Sequence, residues 1–382
     1  MSRNCSLVSD GESPIVDDVD RHVDVINLSA LVDEGNNEIK SLRGKHVVLV
    51  IGKTGVGKSS FIQLLNGAKA VRVANGYQIL EDDSNYLPDF KIGYQLSSQT
   101  KCIRSYKKIE SKLTYCDMPG FKDSHSYNVD IATAVWIKSI AKASKSLRFV
   151  VMVNGATLED DKGEPFRDLM EMFSKLVSND PQKIMHSITF LFTHMSDQFE
   201  IERNESDVLK YLDKKIHDIL VMTSNKHAKK MMLILRTLLL KFPGHVRVIN
   251  PVTTDFQELS MHMKLGVKPI SQAENIVQPS VPREIELAVS LALGKFESAI
   301  KESLFSTVVE VQKTLPELLR CFAYLAKLLN SPKHVDTLKN LMLDVVEEYD
   351  KNKQCVMSVL NSDVSNKTHD MPIGREEVLL VI

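Results

Sequence analysis

Cysteine is scarce in this chain of 382 residues, and the few that occur are not arranged for a shared task. The five cysteines are scattered and odd in number, and no metal-ligand spacing links them. A disulfide framework typically shows an even set of cysteines at regular spacing, so this pattern does not indicate a disulfide-stapled secreted domain. A reduced intracellular compartment is the simplest interpretation. The cysteines are Cys5, Cys102, Cys116, Cys321 and Cys355.

The chain also lacks an excess of charge of either sign and any long apolar run. Lysine and arginine together number 48 against 49 acidic residues, so no net field favours nucleic acid or an anionic membrane. No window approaches the roughly 18 uninterrupted apolar residues of a membrane-spanning helix. Residues 1–25 carry several aspartates and no continuous apolar core, which is unlike a secretory signal. We therefore expect a cytoplasmic protein that does not bind nucleic acid.

One stretch, residues 46–61, carries the strongest functional signal. An apolar run over residues 47–51 is followed by a glycine-rich loop, GKTGVGKS, and then by a helix-like pattern. Glycines let a loop turn back and present its amide hydrogens to phosphate oxygens, and the next helix adds the positive end of its dipole. In this pattern Lys58 supplies charge to the terminal phosphates, and the hydroxyl of Ser59 ligates magnesium. The predicted phosphate-binding residues are Gly52, Lys53, Thr54, Gly55, Val56, Gly57, Lys58, Ser59 and Ser60.

A second element of the same site is predicted at DMPG, residues 117–120, directly after the apolar run KLTYC. An aspartate in this place holds magnesium through water, and Gly120 can donate its amide to the terminal phosphate. Thr100 precedes the neighbouring strand, where its hydroxyl can complete the magnesium shell; the alternative is that it merely begins that strand. The predicted metal ligands are therefore Ser59, Thr100 and Asp117, and the predicted catalytic groups are Lys58, Thr100 and Gly120.

The base of the nucleotide is predicted to be read just beyond the apolar run at residues 187–194. A carboxylate there can accept both N1–H and the exocyclic amine of guanine, and Asp197 is the candidate. The usual pattern is Asn/Thr-Lys-x-Asp, whereas here His194 takes the leading position and Met195 replaces the lysine. Met195 can cover a base face by packing, as a lysine stem does. Asn250 is a further candidate base contact; guanine is favoured, and adenine or relaxed base choice is the alternative.

Hydrophobic periodicity predicts an α/β fold with a mainly parallel sheet. Short continuous apolar runs, typical of strands buried on both faces, alternate with amphipathic stretches of helical period. One tight antiparallel pair, residues 101–109 and 112–120, precedes the alternation, and the long polar stretch 67–99 is expected to contain a hairpin. Further strands are predicted over 147–155, 187–194 and 245–250, and helices over 128–143, 164–178 and 229–242.

Two segments carry weaker signals. Residues 23–32 fit either a strand or a helix, and Gly35-Asn36-Asn37 is predicted to form a turn before the first core strand. The helix over 229–242 has a wide apolar face that should pack on the sheet and a narrow basic edge. A basic amphipathic helix can bind a membrane surface, but nothing in the pattern singles out a membrane as the partner of that edge.

Composition divides the chain into five parts. The N-terminal residues are polar, and several prolines interrupt the chain after the last predicted strand. Beyond them, one apolar stripe spaced by three or four runs over residues 285–315, the pattern of a long amphipathic or coiled-coil helix. The predicted parts are a disordered arm (1–22), a nucleotide-binding α/β domain (23–255), a linker (256–282), a helical domain that can engage a protein partner (283–362) and a tail (363–382).

The order of these motifs resembles one family. GKTGVGKSS, SSQTK, DMPG, FTHMSD and VINP follow one another as in the translation-factor-related GTPases. Within them the chain looks most like the septin and immunity-associated (GIMAP-type) group, which includes chloroplast import receptors. The resemblance covers residues 45–255 and does not reach the C-terminal helices. It implies a Ras-like P-loop three-layer sandwich, binding of GTP or GDP with Mg2+, and nucleotide-dependent formation of a homodimer or homo-oligomer through the nucleotide face.

Hydrolysis of GTP is predicted to be slow. Many relatives place a glutamine directly after the glycine of the Asp-x-x-Gly motif, where it orients the attacking water, but this chain has Phe121. A second subunit or an activating partner can supply the missing group, and a trans arginine is worth roughly 10^3 to 10^5 in rate. His125 and Lys53 are local candidates, although each also fits an ordinary loop position. The alternatives are a non-catalytic GTP-dependent scaffold and, from another class, an ATP-using P-loop protein.

Overall fold

The computed structural model describes the chain from residue 25 onward in several stretches. The predicted arm, the predicted tail, Asp197 and His125 lie outside the described residues. The described residues are 25–74, 76–92, 100, 102–121, 127–177, 181–195, 205–278, 281 and separate positions between 289 and 344.

The described strands form a six-stranded sheet and a separate two-stranded hairpin. The large sheet contains β1 (His46–Ile51), β4 (Arg104–Lys108), β5 (Leu113–Asp117), β6 (Ser146–Asn154), β7 (Ile188–Thr193) and β8 (Val246–Val248), and the hairpin is β2 (Ala70–Val73) with β3 (Gly76–Ile79). The order across the large sheet is β4-β5-β1-β6-β7-β8. Among these six strands only β4 runs antiparallel to its neighbour, β5, and the other pairs are parallel. The predicted α/β class with a mainly parallel sheet is confirmed.

β1 shows why this sequence forms buried parallel strands. Its residues, HVVLVI, are apolar after the first, and all of these apolar side chains are fully buried. Successive side chains of a strand point to opposite faces of the sheet. Val47, Leu49 and Ile51 accordingly join one hydrophobic cluster, and Val48 and Val50 join another. A parallel strand covered on both faces therefore appears in the sequence as a continuous apolar run.

Helices cover both faces of the sheet. They are α1 (Val25–Ser41), α2 (Lys58–Leu65), α3 (Tyr127–Ala143), α4 (Glu164–Leu176), α5 (Glu205–Met222), α6 (Lys226–Lys241) and α7 (Phe256–Leu265). Residues of α1, α3, α4, α5 and α6 belong to one cluster, and residues of α2 and α7 belong to the other. The wide apolar face of α6 is buried, mainly against α4, although Leu233 and Leu240 are exposed. Within the stretches that the structure describes, no helix is both long and apolar enough to cross a membrane.

α1 corrects the prediction for the start of the domain. Residues 23–32, whose pattern allows a strand or a helix, are helical from Val25, and the predicted turn at Gly35-Asn36-Asn37 is wrong because these residues lie inside the helix. Gly35 serves packing: a Cβ on it would come within 2.2 Å of the indole nitrogen of Trp136 on α3. That indole N–H donates to the carbonyl of Val32 (3.3 Å). A glycine that signals a turn by local rules here marks a contact between two helices.

The segment 256–278, predicted as part of a linker, is folded onto the domain. α7 begins after Asp255, whose side chain accepts hydrogen bonds from two N–H groups of the first turn. Beyond α7, Ile270 exchanges two backbone hydrogen bonds with Leu147 of β6, each of 2.9 Å. The linker prediction is therefore wrong over these residues, because prolines also occupy the turns of a packed segment. Its buried side chains beyond α7 are Val267, Ile270, Ala273 and Val277.

The predicted helical domain, 283–362, is described only at separate helical positions. Val289, Leu293 and Leu341 are buried there and join the same cluster as α1 and α3. The other residues of that predicted domain lie outside the described part of the chain.

The stretch 67–99 contains the expected hairpin, β2–β3, followed by turns that are held against α2. The side-chain amide of the buried Gln63 donates to the carbonyls of Leu87 (2.8 Å) and Phe90 (3.0 Å) and accepts from the Leu87 N–H (2.8 Å). Lys108 of β4, also buried, donates to the carbonyl of Leu65 (2.6 Å), the last residue of α2. These contacts fix the C-terminal end of α2 and so position its N-terminal end.

Substituting Gly35 by Ala tests the contact between α1 and α3. Alanine in place of glycine in a helix normally stabilises by about 1 kcal/mol, whereas here the added methyl group meets the Trp136 indole. We expect G35A to lower the melting temperature and to shift the emission of the chain's one tryptophan, because the indole becomes more exposed. Asn37→Ala, at an exposed position of the same helix, is the control and should change neither signal appreciably. A G35A protein as stable as the wild type would contradict the contact.

Candidate functional site

The glycine-rich loop, residues 52–57, connects the buried strand β1 to the first turn of α2. Two of its glycines have left-handed backbone conformations, with φ of 77° at Gly55 and 91° at Gly57. Gly52 lies against β6, where an added Cβ would come within 2.6 Å of the Met152 carbonyl oxygen. The loop therefore curls at the N-terminal end of α2, the end at which backbone N–H groups and the helix dipole attract an anion.

Lys58, the first residue of α2, turns its side chain back towards this loop. The ammonium group donates to the carbonyls of Lys53 (3.0 Å) and Gly52 (3.3 Å), and the residue is 7% exposed. A positive charge is thus held against the loop backbone, at the position that the sequence predicts. Of the other predicted loop residues, Val56 is buried, and Thr54 and Ser60 are half-buried.

The three residues predicted as metal ligands meet next to Lys58. The hydroxyl of Ser59 donates to a carboxylate oxygen of Asp117 (2.6 Å) at the end of β5. The hydroxyl oxygen of Thr100 lies 3.3 Å from that of Ser59 and 3.5 Å from the same Asp117 oxygen. β4 begins only at Arg104, so Thr100 does not serve to start that strand. The fold therefore brings together, from three separate segments, the oxygen ligands that the sequence singles out.

Asp117 is an acid in surroundings that disfavour its charge. The residue is 1% exposed, and burial is the main cause that raises the pKa of its carboxyl group. The charges of Lys58 and Arg104 and the hydroxyls of Ser59 and Thr100 lower that pKa and offset part of the rise. Its second oxygen, Oδ1, is buried and has no hydrogen-bond partner among the described residues. A buried acceptor in this state fits a site that is completed by a cation.

The donor atoms indicate which cation fits. One carboxylate and two hydroxyls are hard oxygen ligands, the kind that Mg2+ takes together with water and phosphate oxygens. In no part of the chain that the structure describes do three or more His, Cys, Asp or Glu side chains form a metal-binding group. The residues present therefore suit a magnesium ion that also has ligands from a bound phosphate, and they do not suit a zinc ion held by protein side chains alone.

The residues that follow Asp117 fold back onto the loop. The N–H of Phe121 donates to the carbonyl of Gly52 (3.2 Å), and the phenyl ring of Phe121 is buried in the core. Gly120 packs directly on Thr54: a Cβ on Gly120 would come within 2.2 Å of the Thr54 hydroxyl oxygen and 2.5 Å of the Thr54 nitrogen. Only glycine fits there, which places Gly120 at the wall of the predicted phosphate site.

The predicted base-reading residues are described only in part. Asp197, the main candidate, lies outside the described residues, as does His125. His194 is exposed and has a left-handed backbone (φ 51°), and its Nδ1 lies 2.9 Å from the Thr193 hydroxyl oxygen. That hydroxyl donates to the loop carbonyl of Val56 (3.1 Å). The end of β7 and His194 are therefore held next to the glycine-rich loop.

Met195 and Asn250 do not present the groups predicted for them. Met195 is 6% exposed, and its sulfur lies 2.2 Å from where a Cβ on Gly155 would be, so it has no open face to cover a base. The Asn250 side chain accepts from two N–H groups of its own turn (2.9 and 3.2 Å) and donates to the Tyr77 hydroxyl (2.8 Å). Its amide shapes the turn after β8 and holds the β2–β3 hairpin, which leaves base contact by Asn250 without support.

Two contacts near the site carry no signal in the sequence. Lys53, predicted to bind phosphate and named as a local candidate for the catalytic group, lies 3.9 Å from the Asp168 carboxylate of α4, and both side chains are half-buried. Tyr77 of the hairpin reaches Asn250 across the fold. In each pair the two residues are far apart in the chain, and no local pattern of residue types reveals such a partner.

The fold and the site define a class of protein: an α/β protein with a mainly parallel sheet and a glycine-rich loop at the end of a central strand. No protein-family model matches the chain, and no curated protein matches it.

Replacing Asp117 by Asn tests the buried charge. Because burial raises the pKa of Asp117 in the folded protein, ionisation of Asp117 lowers the free energy of unfolding as pH rises from its ordinary pKa, 3.8, through the raised folded value. At lower pH the carboxyl is protonated in both states, and this penalty is absent. We expect D117N to raise the melting temperature of the ligand-free protein at neutral pH, and by less in mild acid. Asp82→Asn, at an exposed acid, is the control; a D117N protein that melts below the wild type at neutral pH would contradict the account.

Proposed function

We propose that this protein binds GTP and GDP with Mg2+ and hydrolyses GTP slowly. The observation that carries the proposal is the convergence of Ser59, Thr100 and Asp117 next to Lys58, where the glycine-rich loop enters α2. A phosphate chain needs positive charge and backbone donors, and its magnesium needs hard oxygen ligands. These requirements are met in one place by residues that the motif order of the sequence also selects.

The proposed roles follow from charge and donor chemistry. The loop N–H groups and the first turn of α2 hold the phosphates, and Gly120 presents its N–H to the terminal one. Lys58 exchanges the loop carbonyls for β- and γ-phosphate oxygens, which are stronger acceptors for an ammonium group. Ser59, Thr100 and Asp117 hold Mg2+, which when bound neutralises charge on the phosphates.

The position of the loop in the sheet supports nucleotide binding. β1 lies between β5 and β6: after β1 the chain builds β4 and β5 on one side of it, and the connection from β5 then crosses to β6 on the other side. In open parallel sheets, ligands bind beyond the carboxyl ends of the strands at such a reversal. The loop, Asp117 and His194 lie at the carboxyl ends of β1, β5 and β7. This arrangement supports the finer fold proposal, a Ras-like P-loop sandwich, and the α-helical extension after it stays a prediction of the sequence.

The proposed base is guanine, and the proposed base-reading residues are Asp197 and His194. This assignment rests on the resemblance to septin and immunity-associated GTPases, and it includes their nucleotide-dependent self-association. We propose a homodimer or homo-oligomer formed through the nucleotide face, with the C-terminal helices available to a protein partner, in the cytoplasm. The exposed position of His194 at the end of β7 supports a base site at that edge of the loop.

Removing the Lys58 ammonium group tests the phosphate site. K58A deletes the charge-assisted hydrogen bonds to the β- and γ-phosphates, and we expect it to weaken GTP binding by about 10^2-fold or more. Calorimetry in the presence of Mg2+ measures this, and competition of GTP against ATP in the same titrations tests the ATP alternative. Lys69→Ala, at an exposed lysine just beyond α2, is the matched control and should bind as the wild type does. Unchanged GTP binding by K58A would refute the site.

Phe121 favours a second candidate function, a non-catalytic GTP-dependent scaffold. It directly follows Gly120, its ring is buried, and it has no polar group with which to orient water. A protein of this kind binds nucleotide and self-associates but does not turn the nucleotide over. The two candidates therefore share the binding site and differ in the chemical step alone.

Single-turnover release of phosphate, at low and at high protein concentration, separates these two candidates. We expect slow release that accelerates per site as concentration rises, because a second subunit can supply a charged group to the site. K58A, which lacks the Lys58 ammonium group, provides the baseline for phosphate release. Sedimentation of the protein loaded with GDP and with a non-hydrolysable GTP analogue reports the oligomeric state under the same conditions. Tight GTP binding with no release at any concentration would establish the scaffold instead.

A further inference from the structure

Thr54, the third residue of the glycine-rich loop, carries a hydroxyl group with no hydrogen-bond partner among the described residues. The oxygen atom is shielded from solvent, although the residue as a whole is half-buried. Bulk solvent therefore does not satisfy this group in the arrangement of the loop without a bound nucleotide. Buried polar groups in native proteins nearly always have partners, and an exception indicates a bound ligand or a function.

The hydroxyl of Thr54 faces Gly120. A Cβ on Gly120 would lie 2.2 Å from the Thr54 Oγ1 atom and 2.6 Å from its Cα, so the two backbones are in direct contact. Gly120 is the residue whose N–H we assign to the terminal phosphate. The hydroxyl without a partner thus lies at the place where the reacting end of the nucleotide would be bound.

Phe121, the residue after Gly120, does not provide a polar side chain at this place. The ring of Phe121 is buried in the core, and the backbone N–H of Phe121 donates to the Gly52 carbonyl (3.2 Å). Hydrolysis requires a group that orients the attacking water by hydrogen bonding, which a phenyl ring cannot do. A threonine hydroxyl can do it, because it accepts one hydrogen bond and donates another at the same time.

We propose that Thr54 orients the attacking water in this protein, in the role that Phe121 cannot fill. Its oxygen accepts a hydrogen bond from the water, and its own proton is donated to a γ-phosphate oxygen. This inference rests on the proposed function and deepens it, since it assigns the water-orienting residue of the same site.

The step that Thr54 assists balances without a further reactant. The water oxygen forms a bond to the γ-phosphorus while the bond from that phosphorus to the β–γ bridging oxygen breaks. The electron pair of the broken bond stays on the β-phosphate of GDP. Both protons of the water leave on inorganic phosphate. The Thr54 hydroxyl keeps its own proton throughout and acts by position alone.

The test compares Thr54→Val, which keeps the shape of the side chain and removes the hydroxyl, with Thr54→Ser, which keeps the hydroxyl. Calorimetry measures binding of GDP alone and of GDP with aluminium fluoride, which mimics the transferring phosphoryl group together with its attacking water. We expect T54V to lose about 10^2-fold of the affinity that aluminium fluoride adds to GDP binding, with the gain measured relative to the variant's own affinity for GDP alone. T54S should retain that affinity. Thr189→Val, which removes another buried hydroxyl without a partner in the described residues, is the matched control and should change neither affinity.

Thermal melting separates this role from a structural one. Because the Thr54 hydroxyl has no hydrogen-bond partner among the residues that the structure describes, T54V should melt at or above the wild-type temperature. A marked loss of stability in T54V would overturn the inference, and so would equal affinity of T54V and wild type for the aluminium fluoride complex. A wild type that binds GDP but gains no affinity from aluminium fluoride would overturn it as well. A wild type that binds no GDP would instead refute the proposed function on which the inference rests.

Discussion

The candidate site depends on one carboxylate that is buried at the end of a strand. Asp117 closes β5 at 1% exposure, and a buried charge is costly unless hydrogen bonds and opposite charge offset the loss of water. Ser59 donates to it at 2.6 Å, Thr100 lies near the same oxygen, and Lys58 opposes the rise in pKa that burial causes. These partners come from the start of α2 and from residue 100, so both segments are drawn to one charge. The carboxylate oxygen that remains without a partner in the described residues is the reason that the site is suited to a cation.

α2 connects this site to the rest of the fold. It begins with Lys58 and Ser59 and ends at Leu65, whose carbonyl accepts from the buried ammonium group of Lys108 (2.6 Å). A cation at the C-terminal end of a helix interacts favourably with the helix dipole, so this contact stabilises the whole helix as well as one carbonyl. Gln63, one turn beyond the site, holds the turns that follow the β2–β3 hairpin. The geometry at the N-terminal end of α2 therefore depends on contacts made at its other end.

Sequence patterns predicted this protein well wherever the cause of a structure is local. The apolar runs of β1 and β6 are strands because both faces are covered, and the spacing of the glycines identifies the loop that follows β1. The same rules failed where the role of a residue depends on a distant partner. Gly35 makes room for Trp136 and does not form a turn, and the segment 256–278 packs on β6 despite its proline. In these cases the residue types are those of a turn or a linker, but tertiary contacts gave them another use.

The sequence by itself determined the strand–loop–helix unit at residues 46–61, the α/β class and the residue types of the candidate site, because each follows from composition and spacing over a short stretch. Only the tertiary structure decided that the hydroxyls of Ser59 and Thr100 meet the Asp117 carboxylate, and that Asn250 serves a turn and a hairpin. It alone placed the Thr54 hydroxyl against Gly120. The physical reason is that the order of the strands sets which loops become neighbours. A contact between residues far apart in the chain leaves no mark in the pattern around either one.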